Sequence, residues 1–439
     1  MALPGLTSVS KVLFILQVLV FKLKKATTRS KDEDPQLQQS MGLLLGISSF
    51  FPNFENAYKD EMSRVKLMAM SRILAGFLEK PIYAAIGNAA LPLWTMAVRV
   101  AVELNLFNYV AEAAKDGRTI TADELAEKSG AEQLLVVRIM RPLVTFGFVK
   151  QDGVETYTAT PLTNHMTLPS SQAASRFHFD IGLRTIASIP EYLRKNNWRS
   201  PSSVTDGPFQ YAFNTTLPSF EYWAQDPEIS KTYNTFMTAS QGNRKSWVDW
   251  FPIREQYIQP KNGVDMKKKS DEVFMVDVAG GRGHHLDEVS KRFPDISGRL
   301  ILEDLPAVID DIKELDPRIE KMKVDMFEPQ VVKGALIYHL HFVVHDWPDE
   351  PAAKILQSIA SAMTPNYSRI LIREFILPDV NCPLVAIGAD LSMMMSHAGL
   401  ERSEKQWHEL VRKAGMGLKV EKFWYSGGVE EGVVEIVKV

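Results

Sequence analysis

The sequence predicts an α/β fold in which a doubly wound, mostly parallel sheet is preceded by a mostly helical winged-helix domain. Three observations carry this reading. From Glu272 onward, short apolar strand patterns alternate with amphipathic helix patterns, the order that builds parallel sheets. The first of those strands runs into a glycine-rich turn, Ala279-Gly280-Gly281-Arg282-Gly283. Further upstream, three helical patterns are followed by two short strands around an Asp-Gly turn, the layout of a winged helix.

The elements follow in order along the 439 residues. Val12 to Phe21 is apolar apart from Gln17, and Lys22, Lys24, Lys25 and Arg29 follow it. This run is short of the roughly 20 residues that cross a bilayer. It has no small-residue cleavage pattern, and its positive charge comes after the apolar stretch, unlike a signal peptide. The expectation is a helix packed on a partner subunit. The alternative is a membrane-surface anchor over residues 12–25 that uses the basic flank. Residues 26–40 are polar and read as a linker, so residues 1–45 form an apolar segment and its tether.

Residues 46–170 form the winged-helix domain. After Pro92, Ala97, Val98, Val100, Ala101, Leu104 and Leu106 recur with a helical period. Thr121 to Gly130 opens on a Thr cap with Glu124 three residues on, and closes on glycine. Glu132 to Phe146 is the third helix, and the hairpin turns at Asp152-Gly153. Winged helices often bind DNA, but a recognition helix needs a basic, polar face. Here Arg138 and Arg141 stand among Leu134, Leu135, Val136, Val137, Ile139 and Met140. The net charge of −3 gives no footprint for nucleic acid either. The domain is expected to contact protein.

Residues 171–260 read as connecting helices rich in aromatics, including Phe177, Tyr192, Phe209, Trp223, Tyr233 and Trp247. Most of these are expected in the core, and some as the wall of a pocket for a flat substrate. The charged run Lys261 to Asp271 is expected to be an exposed insertion at the start of the last domain, 261–439. The single cysteine, Cys382, leaves no disulfide framework or Cys-rich zinc site and fits a reducing, cytoplasmic compartment.

In that last domain the expected strands are Val273–Val278, Arg299–Glu303, Ala335–His339 and Arg369–Arg373. The expected helices between them are His285–Phe293, Leu305–Leu315 and Glu350–Met363. A helix over Gln406–Ala414 leads to strands Leu418–Trp424 and Val433–Val437. The connection between these two strands is too short for a crossover, so they pair antiparallel.

The glycine turn points to a ligand at the strand's C-terminal edge. It is not a complete dinucleotide fingerprint, because Leu286 stands where the third glycine belongs, and no Gly-Lys-Ser/Thr follows. Asp304 ends the next strand, where a carboxylate can accept both hydroxyls of a ribose. Asp277 can hold a cationic amine. Together these features fit S-adenosylmethionine best.

Six words in order then carry a family resemblance: DVAGGRG (277–283), FPDISGRLILEDLPAVI (293–309), VDMFEP (324–329), HDWPDE (345–350), REFILPD (373–379) and GLERSEKQW (399–407). Over residues 90–439 the chain resembles the plant and fungal small-molecule O-methyltransferases. The resemblance implies a class I methyltransferase sheet, S-adenosylmethionine as cofactor, and a winged-helix dimerisation domain that makes a homodimer. It implies methyl transfer to a hydroxyl of an aromatic or polyketide-like secondary metabolite. By the same resemblance Asp304 binds the ribose, Asp325 and Met326 hold the adenine, and Gly280, Gly281 and Gly283 form the floor beneath the methionine moiety. His345 is the general base, with Glu374 and Glu401 flanking it. Trp347, Met394 and Met237 line the substrate.

Two positions depart from the family pattern. Ala279 replaces the first glycine of the usual triple, and His341 stands near the cofactor where Lys or Arg is usual. The His341 departure keeps a second reaction class open. Some fungal relatives keep the cofactor but catalyse dehydration or pericyclic ring closure, including Diels–Alder chemistry. A metal site is not expected: His284, His285, His339, His341 and His345 lack ligand spacing.

Overall fold

The computed structural model describes residues 42, 46–47, 60–242, 246–259, 272–426 and 431–439. The apolar run at 12–21 with its basic flank, the linker at 26–40 and the charged insertion at 261–271 lie outside those residues. Contacts divide the chain into two compact units, residues 1–94 and 95–439.

In the first unit, α1 (Glu61–Leu78) is capped by Asp60, whose carboxylate accepts the Ser63 N–H at 2.9 Å. Helix α2 (Pro81–Glu103) carries Pro92 and is long and apolar enough to cross a membrane by length and composition. Its side chains Ile82, Ile86 and Leu93 are exposed.

The second unit begins with the winged helix. The end of α2 buries Ala97, Ala101 and Val102 against α3 (Leu106–Lys115), α4 (Ala122–Ser129) and α5 (Gln133–Thr145). Thr121 and Glu124 form the expected capping box. Strands β1 (Ile120–Thr121), β2 (Val149–Gln151) and β3 (Thr156–Ala159) pair antiparallel in the order β1-β3-β2. On α5, Val136, Val137, Ile139, Met140 and Leu143 are buried, whereas Leu134 and Leu135 are 56% and 41% exposed.

Connecting helices follow: α6 (Pro161–Met166), α7 (Pro169–Phe177), α8 (Arg184–Lys195), α9 (Pro208–Phe213), α10 (Ser219–Ala224) and α11 (Pro227–Gly242). Their aromatics make a core of their own, with Phe177, Phe209 and Trp223 buried and Tyr233 and Phe236 packed against them.

The large sheet comprises β4 (Val273–Val278), β5 (Arg299–Asp304), β6 (Ile319–Lys323), β7 (Ile337–His341), β8 (Arg369–Glu374), β11 (Leu418–Tyr425) and β12 (Gly432–Lys438). The short strands β9 (Ile376–Leu377) and β10 (Arg402–Ser403) pair separately. The sheet order is β11-β12-β8-β7-β4-β5-β6, parallel except for β12, which is antiparallel to both neighbours. Helices α12 (His284–Arg292), α13 (Pro306–Asp310), α14 (Asp349–Ala362), α15 (Leu384–His397) and α16 (Glu404–Ala414) complete the domain. Strand order reverses between β4 and β7, so a ligand crevice opens at their C-terminal ends.

Three elements differ from expectation. The expected strand Ala335–His339 is displaced to Ile337–His341, because pairing with β8 sets Ile337 opposite Arg369 and His341 opposite Arg373. The expected helix Leu305–Leu315 stops at Asp310. Strand β6 is absent from the sequence reading because it is the sheet edge: only Ile319 is buried, and Glu320, Lys321 and Lys323 face solvent.

Candidate active site

Strand β4 is buried throughout and delivers Asp277 to the crevice. The chain then turns with Ala279, Gly281 and Gly283 at φ +53°, +61° and +80°. A Cβ on Gly280 would lie 2.5 Å from Asp277 Oδ2 and 2.6 Å from the Leu302 side chain, so only glycine fits. Ala279 holds a left-handed backbone that costs a non-glycine residue roughly 1 kcal/mol. Ala279 therefore takes the left-handed position at the start of the turn itself, at that cost.

The turn also grips Asp304. The Gly281 N–H donates to Oδ2 at 2.8 Å and the Leu305 N–H to Oδ1 at 2.7 Å. Burial raises the Asp304 pKa, and these two bonds oppose it. Asp277 Oδ1 accepts the His339 Nδ1–H at 2.6 Å, and its Oδ2 has no hydrogen-bond partner among the described residues. A buried carboxylate oxygen left open at a strand's C-terminal end suits the amine of S-adenosylmethionine. Asp325 is exposed, its Oδ1 accepting the Phe327 N–H at 3.0 Å, and Met326 is half-buried against the core. Trp347 packs edge-on to Phe327 with ring centroids 4.7 Å apart. The structure thus places Trp347 beside the loop expected to hold adenine.

His345 lies in the short helical turn Val344–Asp346 that follows β7. Its Nδ1–H donates to Glu401 Oε1 at 2.6 Å, which leaves Nε2 as the free acceptor of that tautomer. Glu374, expected to flank His345, meets the backbone of its turn rather than its ring. Its Oε1 accepts the backbone N–H groups of Val343, Val344 and His345 at 3.2, 2.7 and 3.0 Å. It sits on the neighbouring strand at the height of the turn, so it holds the turn's backbone.

His341 is not free to act as a charge. Its Nε2–H donates to Glu431 Oε2 at 2.8 Å, and burial pushes its pKa well below the usual value. A permanent cation stands directly across on β8: Arg373, buried and bonded to the other Glu431 oxygen. Sequence reasoning missed Arg373; the only signal was an arginine beside Glu374 after the apolar middle of its strand. It also missed Arg402, whose buried guanidinium donates to the carbonyls of Val344 and Trp347 and pairs with Asp349. Arg402 therefore clamps both sides of the His345 turn. Met237 and Met394 are half-buried on α11 and α15.

Comparison with known proteins places this geometry. Residues 255–417 match the O-methyltransferase domain, and residues 93–168 match the O-methyltransferase dimerisation domain. The chain is 36% identical over 384 residues to the O-methyltransferase penC of Penicillium thymicola, covering 87% of this chain and 92% of that one. It is 33% identical over 335 residues to a demethylsterigmatocystin 6-O-methyltransferase of Aspergillus flavus, covering 76% and 83%. Among solved structures, LepI in complex with S-adenosylmethionine shares 25% identity at a TM-score of 0.79, over 90% of this chain and 99% of that one. A pericyclic reaction enzyme shares 25% identity at 0.78, over 90% and 100%. With its dimerisation domain, its methyltransferase sheet and its cofactor crevice, this chain belongs to the S-adenosylmethionine-dependent O-methyltransferase family.

Proposed function

We propose that the enzyme methylates a hydroxyl of an aromatic or polyketide-like secondary metabolite, with His345 Nε2 as the proton acceptor. The observation that carries this is the 2.6 Å bond between His345 Nδ1 and Glu401, which commits the ring to the tautomer with a basic Nε2. When bound, S-adenosylmethionine supplies an electrophilic methyl group. The chain's residues do the rest by holding and aligning. Asp277 binds the cofactor's amine, Asp304 its ribose, and Asp325 and Met326 its adenine, with Trp347 beside them. Met237 and Met394 contact the acceptor. Glu374 and Arg402 keep the His345 turn in place, and Glu401 keeps the ring in plane.

Mass spectrometry of candidate acceptors incubated with enzyme and cofactor tests the reading: the product gains one methyl group as S-adenosylhomocysteine accumulates. A second reading is ring closure or dehydration with no net methyl transfer. The likeness to a pericyclic reaction enzyme favours it. Turnover without S-adenosylhomocysteine would establish that reading instead. Exposed Leu134 and Leu135 on α5 belong to the homodimer contact in this proposal, so Leu134→Glu shifts sedimentation toward monomer.

A further inference from the structure

We propose that Asp346 and His397, set by Ser219, form a second proton-holding pair that takes over the proton His345 removes from the acceptor hydroxyl. This rests on the reading of His345 as the base. Asp346 Oδ1 lies 3.6 Å from His345 Nε2 and 3.8 Å from His397 Nε2, so one carboxylate oxygen faces the working nitrogens of two imidazoles. A closure of about 0.7 Å brings either contact to hydrogen-bond length. On its other side the His397 ring meets Ser219 Oγ at 2.7 Å. Phe220 stacks on that ring at 4.5 Å, and Trp223 meets it edge-on at 5.5 Å.

Serine is a telling partner here. A hydroxyl either donates or accepts, so it satisfies Nδ1 in both tautomers of the ring. His397 Nε2 therefore complements Asp346 in either protonation state, accepting from the acid or donating to the carboxylate. A carboxylate on Nδ1, as at His345, would permit one tautomer only.

The charged and titratable groups around Asp346 support the role. His345 faces it from its own turn, Glu374 from β8, Glu401 from the segment after α15, His397 from α15 and Tyr233 from α11. Burial raises the Asp346 pKa to about 7, with His345 opposing and Glu374 and Glu401 adding to the rise. Burial and then His345 lower His397 to about 3, so that ring stays neutral.

Methylation of a hydroxyl frees one proton per turnover. The acceptor O–H breaks as N–H forms at His345 Nε2. That N–H then breaks as O–H forms at Asp346 Oδ1, and His397 Nε2 accepts a hydrogen bond from the new acid. Asp346, 16% exposed at its side chain, gives the proton to solvent as product leaves. Asp346 and His397 are thus positioning residues, which act through His345.

The test compares kcat against pH for the wild type, His397→Gln and Ser219→Ala at saturating acceptor and cofactor. His397→Gln should lower kcat by about tenfold near neutral pH, leave KM nearly unchanged, displace the acid limb of the profile and recover rate when imidazole is added. Ser219→Ala should do the same more weakly. Unchanged kcat and profile in both variants, or a change in KM alone, would overturn the proposal. Cofactor affinity by calorimetry checks folding, and Ser219→Ala carries the test if His397→Gln fails that check. Full activity in His345→Ala would instead remove the underlying reading of the base.

Discussion

Two histidine–carboxylate pairs stand along β7 and the turn that follows it, and both have the same 2.6 Å bond from Nδ1: His339 to Asp277 and His345 to Glu401. They differ in what the far nitrogen meets. The His339 side chain has no exposed surface, Trp247 stacks on it at 4.9 Å, and its Nε2 has no hydrogen-bond partner among the described residues. Burial lowers its pKa to about 4 in spite of Asp277. The His345 side chain keeps 10% of its surface, and its Nε2 faces Asp346. The same pair is therefore a fixed strut in one place and, in our reading, a proton acceptor in the other. The far nitrogen separates the roles, and the carboxylate on Nδ1 does not.

Mutation of each pair breaks or sharpens this contrast. The largest effect is expected of His345→Ala, which removes the acceptor nitrogen and lowers kcat by roughly 10²–10⁴. Cofactor affinity, measured by calorimetry, should stay at the wild-type value. A loss of cofactor binding of equal size would make the two histidines alike.

Asp304→Ala is next. It removes the carboxylate expected at the ribose and frees the two backbone N–H groups it now holds. Cofactor binding should weaken by about 2–3 kcal/mol, with kcat at saturating cofactor much less affected. An unchanged dissociation constant would take Asp304 out of the cofactor site.

His339→Leu should act on stability. It leaves the buried Asp277 without its donor, which costs about 2 kcal/mol in denaturant unfolding. The pH dependence of kcat should keep its shape, because this ring's Nε2 meets no reacting group. A displaced profile would give His339 a share in the chemistry.

The smallest effect concerns Asp346. Its folded pKa of about 7 lies above the unfolded value of 3.8, so burial favours the protonated acid. The stability this contributes is complete below about pH 4 and is lost as pH rises through 7. Asp346→Asn, which never ionises, should therefore melt progressively higher than the wild type between those values, by on the order of 2–4 °C. A difference independent of pH would show that Asp346 titrates normally.

Much of this was legible in the primary sequence, for reasons that can be named. Strand β4 and its turn were readable because a run of buried residues and then glycines at positive φ leave few alternatives. The antiparallel β11–β12 pair followed from a connection too short for a crossover. The capping box at Thr121 and Glu124 is local and needed no tertiary knowledge. Edge strand β6 was missed because its pattern is set by solvent on one side and carries few apolar residues.

What the sequence determined by itself is the order of elements, the glycine turn, and the residue types brought to the crevice, His345 and Glu401 among them. These depend on periodicity, turn chemistry and family words, which are written along the chain. Only the tertiary structure decided which carboxylate meets which nitrogen. Glu374 holds a backbone turn while Glu401 takes the ring, and the charge absent at His341 appears across the sheet at Arg373. Ser219 meets His397 across a separation of 178 residues. The physical reason is range: a hydrogen bond is settled within about 3 Å, and strand pairing and helix packing alone bring such distant residues that close.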